Sequence, residues 1–141
     1  MQTIRIVLAI DTPTIRAAVA EFIDICPGLA LAGQSGTGAK AFAETVVEKP
    51  DLVLVESPPD STTTTAKTGP QIFAQLTKQH CPDVKIVLLT AETNNRLAAS
   101  IAASALDGVV CMRDLPVQLI LLIEALFFGH RRDDVTAGAV A

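Results

Sequence analysis

Positive charge is scarce in this chain. Lys and Arg number 11 against 15 Asp and Glu, the formal net charge is −4, and no basic cluster occurs. This chain alone is therefore a poor nucleic-acid binder. Cysteine is sparse as well. Cys26, Cys81 and Cys111 are widely spaced, odd in number and free of any CxxC pattern. That usage points to reduced, structural thiols and a cytoplasmic setting. No basic stretch followed by an apolar one opens the chain, so no signal peptide is expected. No apolar run approaches roughly 18 residues, so no membrane span is expected either. Tryptophan and tyrosine are absent, and five Phe are the only aromatic residues besides two His. What remains is half hydrophobic and 18% charged over 141 residues, enough for one domain with a full core.

The organising stretch is Asp51–Pro59, DLVLVESPP. Leu52 to Val55 run without a polar break into Glu56, as in a strand covered on both faces within a parallel sheet. Ser57, Pro58 and Pro59 then stop it. Glu56 is thus expected at the carboxyl end of a central strand, where open α/β sheets place their ligand sites. Ile4–Ile10 is a second such run and reads as the first strand. After it, Asp11 or Thr12 caps a helix that has Pro13 at its first position and runs over about Thr14–Cys26. Ile15, Ala18, Val19, Phe22, Ile23 and Cys26 form its inward face, and Pro27-Gly28 ends it.

Leu29–Ala32 reads as a short strand, followed by the glycine loop Gly33–Gly38 and a helix over Ala39–Glu48. The loop spacing matches neither GxGxxG nor GxxxxGK[ST], so a turn with a capping Ser or Thr is favoured over a nucleotide loop. Pro58–Gly69 is polar and, over residues 61–68, rich in Thr. It is long for a strand-to-helix loop and reads as solvated chain, with a partner-binding or modified loop as the alternative. Pro70 opens a helix ending near His80, with Ile72, Phe73 and Leu76 inward. His80 suits the negative end of that helix rather than a metal, because it lacks nearby ligand partners. His130 also lacks one. Lys85–Thr90 is the fourth strand, about 94–105 an alanine-rich helix, and Val109–Met112 the fifth strand.

The last helix, about Pro116–Phe128, is apolar nearly all round. In VQLILLIEALFF only Gln118 and Glu124 are polar. A helix lying on a sheet needs one apolar stripe, so a second face calls for a partner. The preceding helix adds Leu97, Ala98, Ala102 and Ala105 among small residues that permit close approach. The expected interface comprises Leu97, Ala98, Ile101, Val109, Leu121, Leu122, Ala125 and Phe128. Gly129–Ala141 reads as a flexible tail or the start of a linker, leaving residues 1–129 as the domain.

Strand and helix alternate throughout, which predicts an α/β fold: a five-stranded, doubly wound parallel sheet with right-handed crossovers. The blocks IRIVLAIDTP, GQSGTGAKAF, KPDLVLVES, DVKIVLLTA and ALDGVVCMRDLP, with the closing helix, resemble in order and spacing the receiver domain of bacterial response regulators. The likeness covers Thr3–Gly129 and is nearest the nitrate-regulator branch, which carries a helix-turn-helix output domain. It implies the CheY-like strand order 2-1-3-4-5. It also implies a signalling module rather than an enzyme.

The resemblance further implies a phosphorylation site at the strand ends, where this chain departs from the family. Receivers hold Mg²⁺ with paired acids after the first strand; here the pair is Ile10 and Asp11. The phosphoryl acceptor, an Asp in the family, is Glu56. The hydroxyl position is kept as Thr90. The lysine position is Met112, with Arg113 one step later, and the aromatic switch position is Val109. Ile10 cannot serve a cation that wants octahedral oxygen ligation, so Mg²⁺ binding is expected to be weak or absent, with Asp11 and Glu56 as weak candidates. Glu56 is one methylene too long for in-line transfer. Met112 cannot neutralise phosphoryl oxygens.

The expectation is a degenerate receiver that signals without phosphoryl transfer, takes no cofactor and dimerises through its last two helices. Glu56 is expected either to imitate the activated charge or to stand as a solvated strand-end carboxylate, the latter favoured. Two alternatives stay open. One is a regulator phosphorylated through an altered Glu56/Asp11 site; the other is a flavodoxin-like binder of a small ligand.

Overall fold

The structure, a computed structural model, describes residues 3–36, 38–57, 69–91 and 105–140. The elements are β1 (Ile4–Ala9), α1 (Pro13–Ile25), β2 (Leu29–Ser35), α2 (Ala39–Glu48), β3 (Leu52–Glu56), α3 (Gly69–His80), β4 (Lys85–Thr90), β5 (Gly108–Cys111) and α4 (Val117–Val140), with a 3-10 turn at Met112–Asp114. The strands form one 5-stranded sheet in the order β2-β1-β3-β4-β5, and every pairing is parallel. This is the CheY-like order that the resemblance implied. The order reverses between β1 and β3, so the crevice at their carboxyl ends is the natural position for a site.

Alternation along the strands divides the core into two layers. Ile4, Ile6, Leu8 and Ile10 of the first strand region join Leu52 and Leu54 of β3 in a buried cluster with Val19 and Ile23 of α1 and Leu119 and Ile123 of α4. Val7, Ala9, Val53 and Val55 point the other way, to Phe73 and Ala74 of α3 and to Ala41 of α2. β3 is buried at every residue, as its unbroken apolar run requires.

Charged pairs pin the amino edge of the sheet. Arg5 donates to the Glu48 carbonyl at 2.7 Å and to its Oε1 at 3.0 Å. The Arg5 backbone N–H donates to Asp51 Oδ2 at 2.9 Å. Across the sheet, Lys78 Nζ lies 2.8 Å from Asp107 Oδ2, which also accepts the Ile86 N–H at 2.8 Å.

Several local expectations need correcting. β2 runs on through Gly33 and Gln34 to Ser35 instead of stopping at Ala32. The register steps from Ile6↔Leu31 to Val7↔Gly33, so Ala32 is an extra residue, a bulge. The cap of α2 is Gly38, at φ 101°, with no side-chain capping bond. β5 ends at Cys111, one residue earlier than expected. On α3, Phe73, Ala74 and Thr77 are buried, whereas Ile72 and Leu76 are 47% and 43% exposed. The helix has therefore turned a different face inward. On α1 the buried residues are Val19, Ala20 and Ile23, and Ala18 is exposed. α4 is non-helical at Phe128, near its expected end, yet helical backbone resumes and reaches Val140. The 61–68 loop and most of the alanine-rich helix expected over 94–105 lie outside the described residues.

Candidate functional site

Parallel pairing brings the sequence-selected positions to one edge. Val55 pairs with Ala9, Glu56 with Leu89 and Thr90 with Cys111. Each of these strands therefore releases its chain at the carboxyl edge, with Ile10 and Asp11, Ser57, Ala91 and Met112 immediately beyond.

Glu56 is not a solvated strand-end carboxylate, contrary to the expectation from sequence. It is only 7% exposed. Its Oε1 accepts the Thr12 backbone N–H at 2.9 Å, and its Oε2 accepts the Thr12 hydroxyl at 2.6 Å. Thr12 is the N-cap residue of α1, and its side chain makes no capping bond within its own helix. The hydroxyl expected to cap α1 is committed to β3 instead. Burying a carboxylate without hydrogen bonds is costly, and this pair supplies them.

Ile10 reaches the site only through its backbone. Its side chain is fully buried in the first core layer, while its carbonyl accepts Arg16 Nη1 at 2.7 Å. Arg16 stands one turn into α1, and its own N–H bonds to the Thr12 carbonyl at 2.9 Å. A cation near a helix N-terminus is disfavoured by the dipole unless a local acceptor offsets it, and the Ile10 carbonyl is that acceptor. Sequence reasoning missed Arg16 and read Thr12 only as a cap. The available signal was an arginine one turn past an acidic strand end.

Asp11 is exposed and leans over the β2–α2 loop. A Cβ added at Gly36 would sit 2.7 Å from its Oδ1. Gly36 thus gives room to a carboxylate. Thr90 is 6% exposed at the end of β4. Cys111 donates its S–H to the Ala91 carbonyl at 3.3 Å and accepts from Arg113 Nε at 3.4 Å. Arg113 is exposed, and Met112 packs half-buried against the first core layer.

The expected interface residues do not share one face. Leu97, Ala98, Ile101 and Ala102 lie outside the described residues. Val109 and Ala105 pack against the second core layer. Leu122 and Phe128 pack against the first. Ala125 is exposed and Leu121 is 41% exposed, and Val117, at 61%, lies one turn before them. These last residues follow each other at intervals of four along α4, so they form one outward stripe.

His80 behaves as expected of a helix-terminal histidine. Its Nδ1 lies 3.1 Å from the Leu76 carbonyl, and its ring meets Phe42 edge-on at 5.3 Å. Among the described residues no group of three or more His, Cys, Asp and Glu could hold a metal ion. No helix among them is long and apolar enough to cross a membrane.

No protein-family model matches this chain, and no curated protein matches it in sequence. Solved structures do. A two-component response regulator of the LuxR family from Aurantimonas sp. aligns over 91% of this chain and 87% of its own at TM-score 0.76 and 23% identity. A DNA-binding response regulator of the same family from Staphylococcus aureus aligns over 87% and 98% at 0.71 and 16%. The signal receiver domain of the putative regulator NarL from Mycobacterium tuberculosis aligns over 87% and 94% at 0.72 and 17%. The chain has the fold of a response-regulator receiver domain. Within that receiver fold, Glu56 stands at the end of the third strand, and its hydrogen bonds run sideways to α1.

Proposed function

We propose that this domain is a degenerate receiver: a signalling and protein-interaction module that works without phosphoryl transfer. One observation carries the reading. The carboxylate at the acceptor position is buried, and both its oxygens already accept hydrogen bonds from Thr12. An acceptor must instead present an oxygen to an incoming phosphorus in line, and misplacement by about 1 Å costs on the order of 10²-fold.

The residues present also fit resident Mg²⁺ poorly. The ion wants near-octahedral oxygen ligands. Ile10 contributes a buried hydrocarbon, Glu56 is engaged by Thr12, and Asp11 leans over Gly36. At the lysine position Met112 offers no charge to a transferred group. The same reading gives the apolar stripe Val117, Leu121 and Ala125 a partner, namely a second copy of this chain. Solved structures with this fold include a response regulator in complex with DNA. By analogy, this domain would influence transcription through a partner or output unit rather than by touching DNA itself.

The test is incubation with acetyl phosphate and Mg²⁺, read by intact mass. An unchanged mass is expected, and a stable adduct on Glu56 or Asp11 would refute the reading. Sedimentation at micromolar concentration, with Leu121→Glu as the disrupted control, tests the dimer: wild type heavier than the variant is expected.

A further inference from the structure

We propose that Glu56 is a latch that fastens the end of β3 to the first turn of α1, and that this latch sets the position of the α1/α4 layer. The argument begins with side-chain length. Aspartate, the residue that receivers use at this point, is shorter by one C–C bond of ~1.5 Å. The methylene that spoils Glu56 for transfer is the one that lets it reach the Thr12 N–H and hydroxyl at 2.9 and 2.6 Å. The bonds join residues 44 apart in sequence and span the switch point between β1 and β3. Arg16 adds a second tie, from α1 to the Ile10 carbonyl. The start of α1 is therefore held to two adjacent strand ends by side chains rather than by a local cap.

The layer behind the latch is continuous. Val19 and Ile23 of α1 and Leu119 and Ile123 of α4 belong to one buried cluster with Ile10. Packed layers resist graded deformation, so a shift of α1 displaces its neighbours across the cluster. Leu119 and Ile123 lie on the helix that carries the exposed Val117, Leu121 and Ala125. Releasing Glu56 from Thr12 would therefore alter how that stripe is presented. The regulatory part of this inference rests on the phosphorylation-independent reading above; the latch itself does not.

The test uses the full chain with Glu56→Asp, Thr12→Val and the double variant. Hydrogen exchange should show the Thr12 amide exchanging about tenfold faster or more in Glu56→Asp, as expected for losing a hydrogen bond to a carboxylate. The double variant should add little to either single change. Methyl resonances of Leu119 and Ile123 should move in each variant, and dimer dissociation should shift by about fivefold in the same set. Unchanged Thr12 protection in Glu56→Asp would overturn the latch. Faster exchange with unmoved Leu119 and Ile123 methyls would overturn the transmission. A monomeric wild type would defeat the dimer of the preceding section, yet exchange and methyl signals would still decide between latch and no latch. If Glu56→Asp unfolds, Thr12→Val and Glu56→Gln carry the same comparison, with smaller changes of the same sign.

Discussion

The two edges of the sheet solve the same problem with different chemistry. At the amino edge, two acids are answered by bases and a third, Asp51, by the Arg5 backbone N–H. Arg5 meets Glu48, and Lys78 meets Asp107. Each pair also bonds to backbone where the chain turns into a strand. At the carboxyl edge, the buried acid Glu56 is answered by a hydroxyl and an amide of Thr12. The nearby arginine Arg16 is spent on a carbonyl. The amino edge is thus fastened by charge. At the carboxyl edge, which in this architecture ordinarily presents groups to a ligand, the buried acid is held by neutral donors and turned inward.

That contrast can be broken in graded ways. The largest effect is expected for Ile10→Asp, which puts back the acid that the receiver pattern would have there. The side chain at residue 10 is fully buried in the α1/α4 layer. An unpaired carboxylate there should cost about 4 kcal/mol or more, enough to abolish cooperative thermal unfolding. If Ile10→Asp folds with wild-type stability, the carboxyl edge is more open than described.

A smaller effect is expected at the other edge. Asp107→Ala strips Lys78 and the Ile86 N–H of their shared acceptor, in a pair whose side chains are only 23% and 21% exposed. The expected loss is about 2–3 kcal/mol in urea denaturation. A loss below the effect of Arg5→Met would show that this edge is not held by charge. The smallest effect belongs to Arg5→Met itself. Its partner is Glu48, and the side chains are 43% and 37% exposed. Solvent screening leaves about 0.5 kcal/mol, and that fraction should fade as salt is raised.

The sheet was readable from the sequence because its inner strands are continuous apolar runs. Leu52–Glu56 and Lys85–Thr90 stand where those runs placed them. Helix faces were less readable where two of them compete. On α3 the apolar pair Ile72 and Leu76 invited an inward reading, yet the buried face includes Thr77, a polar residue that pattern reasoning places outside. Its hydroxyl is buried with no hydrogen-bond partner among the described residues, a state that no local rule favours.

The site was half legible. Strand ends supplied the positions Glu56, Thr90 and Met112, because a parallel sheet gathers its carboxyl ends. The direction in which Glu56 points was hidden, because it depends on a partner 44 residues away that reads as an ordinary helix cap. Whether residue 10 lines the cleft or the core likewise follows from the alternation of β1 once its register is known, not from the residue type.

The bulge at Ala32 acts on β2 as an insertion acts on a reading frame. Before it, Leu29 and Leu31 are matched to Ile4 and Ile6; after it, Gly33 and Ser35 are matched to Val7 and Ala9, which point to the opposite side. Odd-numbered residues therefore change faces half-way along the strand, and Gly33 comes up against Glu44 of α2. Deleting Ala32 would restore regular pairing and keep Gly33 opposite Val7, whereas a deletion beyond it, at Gln34, would put the end of the strand out of phase while leaving every side chain's chemistry intact. Beyond the bulge, spacing is constrained more tightly than identity.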